Sequence, residues 1–253
     1  PPLRVHETEA GMINSVGLQG PGVEAWLTHD LPALAATGAR VVASIWGRSV
    51  AEYEAAAQLL ADAPDCVVAV EVNLSCPNTE AARDLFAHSA SATHDAVAAA
   101  AACGRPRWAK LSPNVTDLVP IADAARAAGA EAVTLVNTVL GMAIDPETGA
   151  YRLGSGERGG GLSGPAIHPV AVRAVHDVHA ALPDLPIVGV GGVADAEGAV
   201  ELLLAGARAV QVGTATFADP RTVLRVLEGL ETWCDRHRVR AVEELTGALA
   251  PDA

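Results

Sequence analysis

The sequence has a single lysine, Lys110, against sixteen arginines, and only five asparagines: Asn14, Asn73, Asn78, Asn114 and Asn137. Its four cysteines, Cys66, Cys76, Cys103 and Cys234, lie far apart without CxxC spacing. No zinc or iron–sulfur ligand set can be read from them, and reduced thiols are the default. The formal charge of -13 lacks the clustered cations that nucleic acid or an anionic membrane surface demands. No apolar run reaches the roughly 18 residues of a membrane span. The opening stretch, PPLRVHETEAGM, has no signal-peptide pattern. A soluble, cytoplasmic protein acting on a small molecule is the expectation.

Half of the 253 residues are hydrophobic, enough for the core of one large domain spanning 1–253. Short β-branched runs alternate with alanine-rich stretches, the pattern of βα units around a parallel sheet. Six strands are predicted within ARVVASIWG, CVVAVEVNLS, RWAKLSPN, AVTLVNT, LPIVGVGGV and AVQVGTAT, with helices at 50–61, 92–102, 118–128, 166–181, 196–205 and 220–229. The fold class is α/β, a (β/α)₈ TIM barrel, which needs about 250 residues and eight strands. Two strands have no counterpart here. The first 39 residues read as a glycine-rich loop and a helix, without a pair of barrel strands, and 145–164 reads as a long excursion of the kind that forms a lid.

With amides this scarce, their placement is informative. Asn73, Asn114 and Asn137 fall at or just past the carboxyl ends of predicted strands, Asn78 follows in a loop, and Asn14 sits in NSVGL before the first predicted strand. Barrel enzymes build their sites at that end. Asparagine offers a donor and an acceptor, so several can read a ring of alternating C=O and N–H groups, whereas any one of them could simply punctuate a turn. The glycines of GVGGV (189–193) and VGTAT (212–216) end the last two strands, where backbone N–H groups can approach a phosphate; tight βα turns would use them too. Lys110 closes an otherwise apolar strand, either reaching solvent or facing an anion. Cys76 lies beyond a strand end, beside Pro77 and between two amides. A free cysteine is ordinarily a small buried hydrophobe, but this setting suits a thiol general base. None of the eight histidines falls at a strand carboxyl end, so nucleophilic Cys–His chemistry is disfavoured.

Together NLSCPNT, AKLSPNVTD, VNT, GGLSGPAI, VGVGGV and VGTATFADP resemble the FMN-containing dihydroorotate dehydrogenases over about residues 7–228. The cysteine in Asn-Leu-Ser-Cys-Pro-Asn is similar to class 1, and NSVGLQGPG with KLSPNVTD to the catalytic subunit of its NAD-linked branch (class 1B). The resemblance implies that Cys76 removes the C5 proton of dihydroorotate while hydride leaves C6 for the flavin, giving orotate in pyrimidine biosynthesis. It implies substrate contacts from Asn14, Val16, Gly17, Leu18, Asn73, Asn78, Asn137 and Thr138. Flavin contacts are implied for Ser44, Asn73, Lys110, Val136, Gly164, Gly191, Gly192, Gly213 and Thr214, with Lys110 stabilising charge on the ring. A homodimer is implied and, for class 1B, a partner subunit carrying FAD and a 2Fe-2S cluster.

Ser44, Ala87 and His168 depart from residues usual in the family, an asparagine, a glycine and a lysine. Alternatives are a dihydropyrimidine dehydrogenase-like flavoprotein, a catalytically incompetent barrel fragment, or a flavin-free barrel acting on sugar phosphates; the last leaves Cys76 and the amides without a task. Six parallel strands cannot close with the geometry of eight. The expectation is therefore a chain lacking about 50 amino-terminal residues, which alone binds FMN weakly or not at all.

Overall fold

The computed structural model of the chain describes residues 3–75, 85–153 and 159–250. Ten strands form among them: β1 (Val5–Thr8), β2 (Gly11–Asn14), β3 (Val41–Ile45), β4 (Val67–Asn73), β5 (Arg107–Lys110), β6 (Ala132–Leu135), β7 (Val139–Gly141), β8 (Gly160–Ser163), β9 (Ile187–Val190) and β10 (Ala209–Gln211). The chain divides into two compact units, Leu18–Val133, and Pro1–Gly17 with Thr134–Ala253; β6 passes from the first into the second. No described helix is long and apolar enough to cross a membrane.

In the unit Leu18–Val133, β3, β4 and β5 run parallel, with Ser44 opposite Glu71, Glu71 opposite Trp108 and Asn73 opposite Lys110. Val67, Ala69, Val70 and Val72 of β4 are all buried, as in a parallel strand covered on both faces. Helix Val50–Leu59 starts at Ser49, whose Oγ accepts from Glu52 N at 3.3 Å while Glu52 Oε2 accepts from Arg48 N at 2.7 Å. These reciprocal bonds satisfy donors at the start of the helix. Tyr53 joins this helix to the end of β4: its buried hydroxyl donates to Asn73 O at 2.7 Å and its ring meets Phe86 edge-on at 5.1 Å. Arg105 ties the turn before β4, donating to the carbonyls of Leu60, Ala63 and Val67.

The other unit holds two kinds of sheet. β9 and β10 are parallel, and helices His168–Ala181, Ala196–Ala205 and Thr222–His237 belong to the same unit. A separate antiparallel sheet has the order β1-β2-β8-β7. Its strands, VHET, GMIN, VLG and GGLS, lack the β-branched runs from which strands are read, so they escape sequence reading. The amino-terminal stretch thus contributes a hairpin as well as the helical turns expected there, and Asn14 ends a strand rather than preceding one. The excursion 145–164 likewise ends in β8, which pairs with β2 and β7. Glycine permits the close approach: a Cβ at Gly11 would lie 2.1 Å from Ser163 O.

The predicted helix 220–229 runs instead over Thr222–His237. Gly229 is not a stop; a Cβ there would lie 2.8 Å from Ala196 Cβ, so glycine lets two helices touch.

Tyr53→Phe removes the donor to Asn73 O. About 1 kcal/mol should be lost, lowering the thermal midpoint by roughly 2–4 °C. Circular dichroism melting checks this, and an unchanged midpoint would show that the bond does not hold the end of β4.

Candidate active site

In the unit Leu18–Val133 the polar residues gather at the carboxyl ends of β4 and β5. Side chains two apart on a strand share a face, so Glu71 and Asn73 project together, as do Trp108 and Lys110. Lys110 Nζ lies 3.7 Å from Glu71 Oε1, and both side chains are largely buried. Ser44 Oγ donates to the same Oε1 at 3.4 Å. The anion that a buried lysine demands is therefore supplied by the neighbouring strand.

Asn73 Oδ1 accepts from Ser75 N at 3.2 Å, turning the chain as it leaves the strand. Leu74 N donates to Lys110 O at 3.1 Å, and Ala87 N donates to Leu74 O at 2.9 Å. These bonds anchor both sides of the connection carrying Cys76 and Asn78, which themselves lie outside the described residues. Beside that connection, Ser75 Oγ and His88 Nε2 are buried with no hydrogen-bond partner among the described residues. Asn114 folds back on its own turn, Nδ2 donating to Ser112 Oγ at 2.8 Å.

The second cluster belongs to the other unit. Asn14 Nδ2 donates to Gly161 O at 3.2 Å, and Asn137 Oδ1 accepts from Thr138 N at 2.8 Å. Thr138 stands over β8: a Cβ at Gly161 would lie 2.2 Å from Thr138 Oγ1. Val136 is buried, and its N–H donates to Val190 O at 2.7 Å. Arg4, a residue that sequence reading passed over, donates Nε to Ser15 O at 2.7 Å and also binds Val16 O. It fixes the backbone leading to Gly17, whose φ is 77°. Leu18 begins the other unit.

The glycines after β9 and β10 behave differently from one another. Gly192 has φ 71°, and a Cβ there would collide with His168 Cβ at 2.6 Å and crowd Gly164 O at 3.0 Å. Packing within the chain is enough to require it. Gly213 is the opposite case: among the described residues no atom lies within 4 Å of where its Cβ would stand. Its carbonyl accepts from Thr216 N and Oγ1 at 3.0 and 2.8 Å. Beside it, Thr214 helps line a cavity of about 630 Å³ with Pro165, Ala194 and Thr8, whose Oγ1 is buried without a hydrogen-bond partner among the described residues. Glu7, Glu9 and Asp219 also border the cavity. Backbone and side-chain bonds from Arg221, with Arg225 at 2.8 Å, hold the Asp219 carboxyl below the usual aspartate range.

His168 is not at a strand end in the sequence, yet its ring reaches one: Nδ1 is 2.7 Å from Gly191 O and Nε2 is 3.0 Å from Glu201 Oε2. It braces the glycine loop after β9.

A family profile described as dihydroorotate dehydrogenase matches residues 1–233. A relative from Alkaliphilus oremlandii (strain OhILAs), named dihydroorotate dehydrogenase B (NAD(+)), catalytic subunit, is 44% identical over 98% of this chain and 81% of its own length. One of the same name from Desulforudis audaxviator (strain MP104C) is 47% identical over 98% of this chain and 80% of its own. A protein of Solibacter usitatus (strain Ellin6076), provisionally named dihydroorotate dehydrogenase A (fumarate), is 45% identical over 98% and 81%. The crystal structure of DHODH in complex with ferulenol from Eimeria tenella aligns with a TM-score of 0.75 over 97% of this chain and 77% of that one; at 18% identity it shows a shared fold, of the TIM-barrel type. With the profile and relatives covering nearly all of its length, this chain belongs to the dihydroorotate dehydrogenase family.

Proposed function

We propose that this chain oxidises dihydroorotate to orotate in pyrimidine biosynthesis, as a single FMN-binding domain. Family membership supports the reaction. The single observation that carries the chemistry is the largely buried Lys110 at the carboxyl end of β5. The described residues fit FMN in two respects: a cation suited to a ring that gains negative charge, and Gly213, whose open side leaves room for a ligand at the start of a helical turn.

The chemistry supplied by bound FMN is acceptance of the hydride released from C6. The chain's residues do the rest. The Cys76 thiolate takes the C5 proton. Asn73 and Asn78, with Asn14, Asn137, Thr138 and the backbone of Val16, Gly17 and Leu18, orient the pyrimidine and its carboxylate. Ser44, Asn73, Lys110 and Val136 would hold FMN, with Lys110 stabilising charge on the ring, and Gly164, Gly191, Gly192, Gly213 and Thr214 would cradle its phosphate and surroundings. A homodimer is part of the same reading.

The electron acceptor separates two forms of the proposal. Relatives named for NAD and for fumarate are similarly identical to this chain. The motifs NSVGLQGPG and KLSPNVTD favour the NAD-linked form, with a partner subunit carrying FAD and a 2Fe-2S cluster. Among the described residues no three His, Cys, Asp or Glu side chains gather to hold a metal.

Titrated with FMN and then with dihydroorotate under anaerobic conditions, the protein should lose its oxidised flavin absorbance as orotate forms. Persistence of that absorbance would overturn the assignment. Cys76→Ala should slow flavin reduction by about a hundredfold or more, the scale of a positioned base, and stopped-flow rates equal to wild type would remove Cys76 from that role.

NAD reduction should require addition of the FAD and iron–sulfur subunit. Efficient NAD reduction by the chain alone would contradict the two-subunit form, and fumarate reduction without a partner would place the chain with the A type.

A further inference from the structure

Lys110 is the only lysine of the chain, and it does not stand alone. The register of β4 and β5 sets Glu71 opposite Trp108 and Asn73 opposite Lys110, so the Glu71 carboxylate is one diagonal step from the ammonium on the same face. The side chains are 8% and 21% exposed and the charges are 3.7 Å apart. Ser44 Oγ, donating at 3.4 Å, steadies the carboxylate from the third strand. Three adjacent strands thus contribute one polar row, and the backbone of a sheet holds its members in place.

We propose that Glu71 is a positioning residue that orients the Lys110 ammonium and limits the positive charge it presents to the flavin. The proposal rests on the reading of Lys110 as the cation beside that ring. An unpaired ammonium there would strongly favour the reduced, anionic flavin. Pairing it with a buried carboxylate offsets part of that attraction, so the electrons remain easy to pass to the next acceptor. Glu71 acts only through Lys110; the hydride donor and acceptor are unchanged.

Two measurements test it. The first needs no flavin: an amine-reactive acylating reagent can modify only Lys110 and the chain's α-amino group, which serves as the internal standard. Glu71→Gln should raise the rate of Lys110 acylation, read by peptide mass spectrometry, by about fivefold or more, because the ammonium loses its buried partner. Equal rates in wild type and variant would overturn the proposal whatever the flavin does. If Glu71→Gln fails to fold, Glu71→Met, which fills the same space without charge, carries the same expectation.

The second is the flavin midpoint potential of the FMN-loaded protein against a reference dye. Glu71→Gln should shift the balance toward reduced flavin about tenfold, roughly 30 mV for two electrons. Lys110→Met should shift it the other way, and adding Glu71→Gln to Lys110→Met should change nothing further. If Lys110→Met leaves the potential unmoved, the reading of Lys110 beside the ring fails. If Lys110→Met moves it and Glu71→Gln does not, the positioning role of Glu71 fails while that reading stands.

Discussion

A charged amine cannot sit in a sheet interior without a countercharge close by, and that requirement organises the carboxyl ends of β3, β4 and β5. Lys110 needs Glu71; Glu71 in turn accepts from Ser44. The row is possible only because the strands are parallel and in register, so that residues from three separate segments arrive at one level. Tyr53 extends the order outward by binding Asn73 O from the flanking helix. Asn73 then turns the backbone through its bond to Ser75 N. The connection carrying Cys76 therefore leaves from an anchored strand end.

The second unit relies on close backbone approach more than on charge. Gly11 against Ser163 O, Gly161 against Thr138 and Gly192 against His168 are contacts that a methyl group would destroy. They bring Asn14 to Gly161 O and hold the loop after β9 against the start of helix His168–Ala181.

Legibility in the sequence followed the strength of local signals. All six parallel strands could be read, because runs such as VVAVEV carry β-branched residues at buried positions. The antiparallel sheet could not: its four short strands lack β-branched runs, and its central pairing joins GMIN to GGLS across a separation of 147 residues, as the Asn14–Gly161 bond shows. Placement of Asn73, Asn137 and Lys110 at strand ends was legible from scarcity alone. Glu71 was missed because it lies inside an apolar run, although alternation from Asn73 would have put it on the same face. His168 showed only as a departure from a family pattern; its hydrogen bond to Gly191 O depends on tertiary packing.

The central claim is that these strand-end residues hold a flavin, with Lys110 at its ring. A crystal structure of the chain at saturating FMN tests it most directly. Lys110 Nζ should lie within hydrogen-bonding distance of the ring edge that carries the charge of reduced flavin. FMN bound elsewhere, or bound with Lys110 turned to solvent, would contradict it.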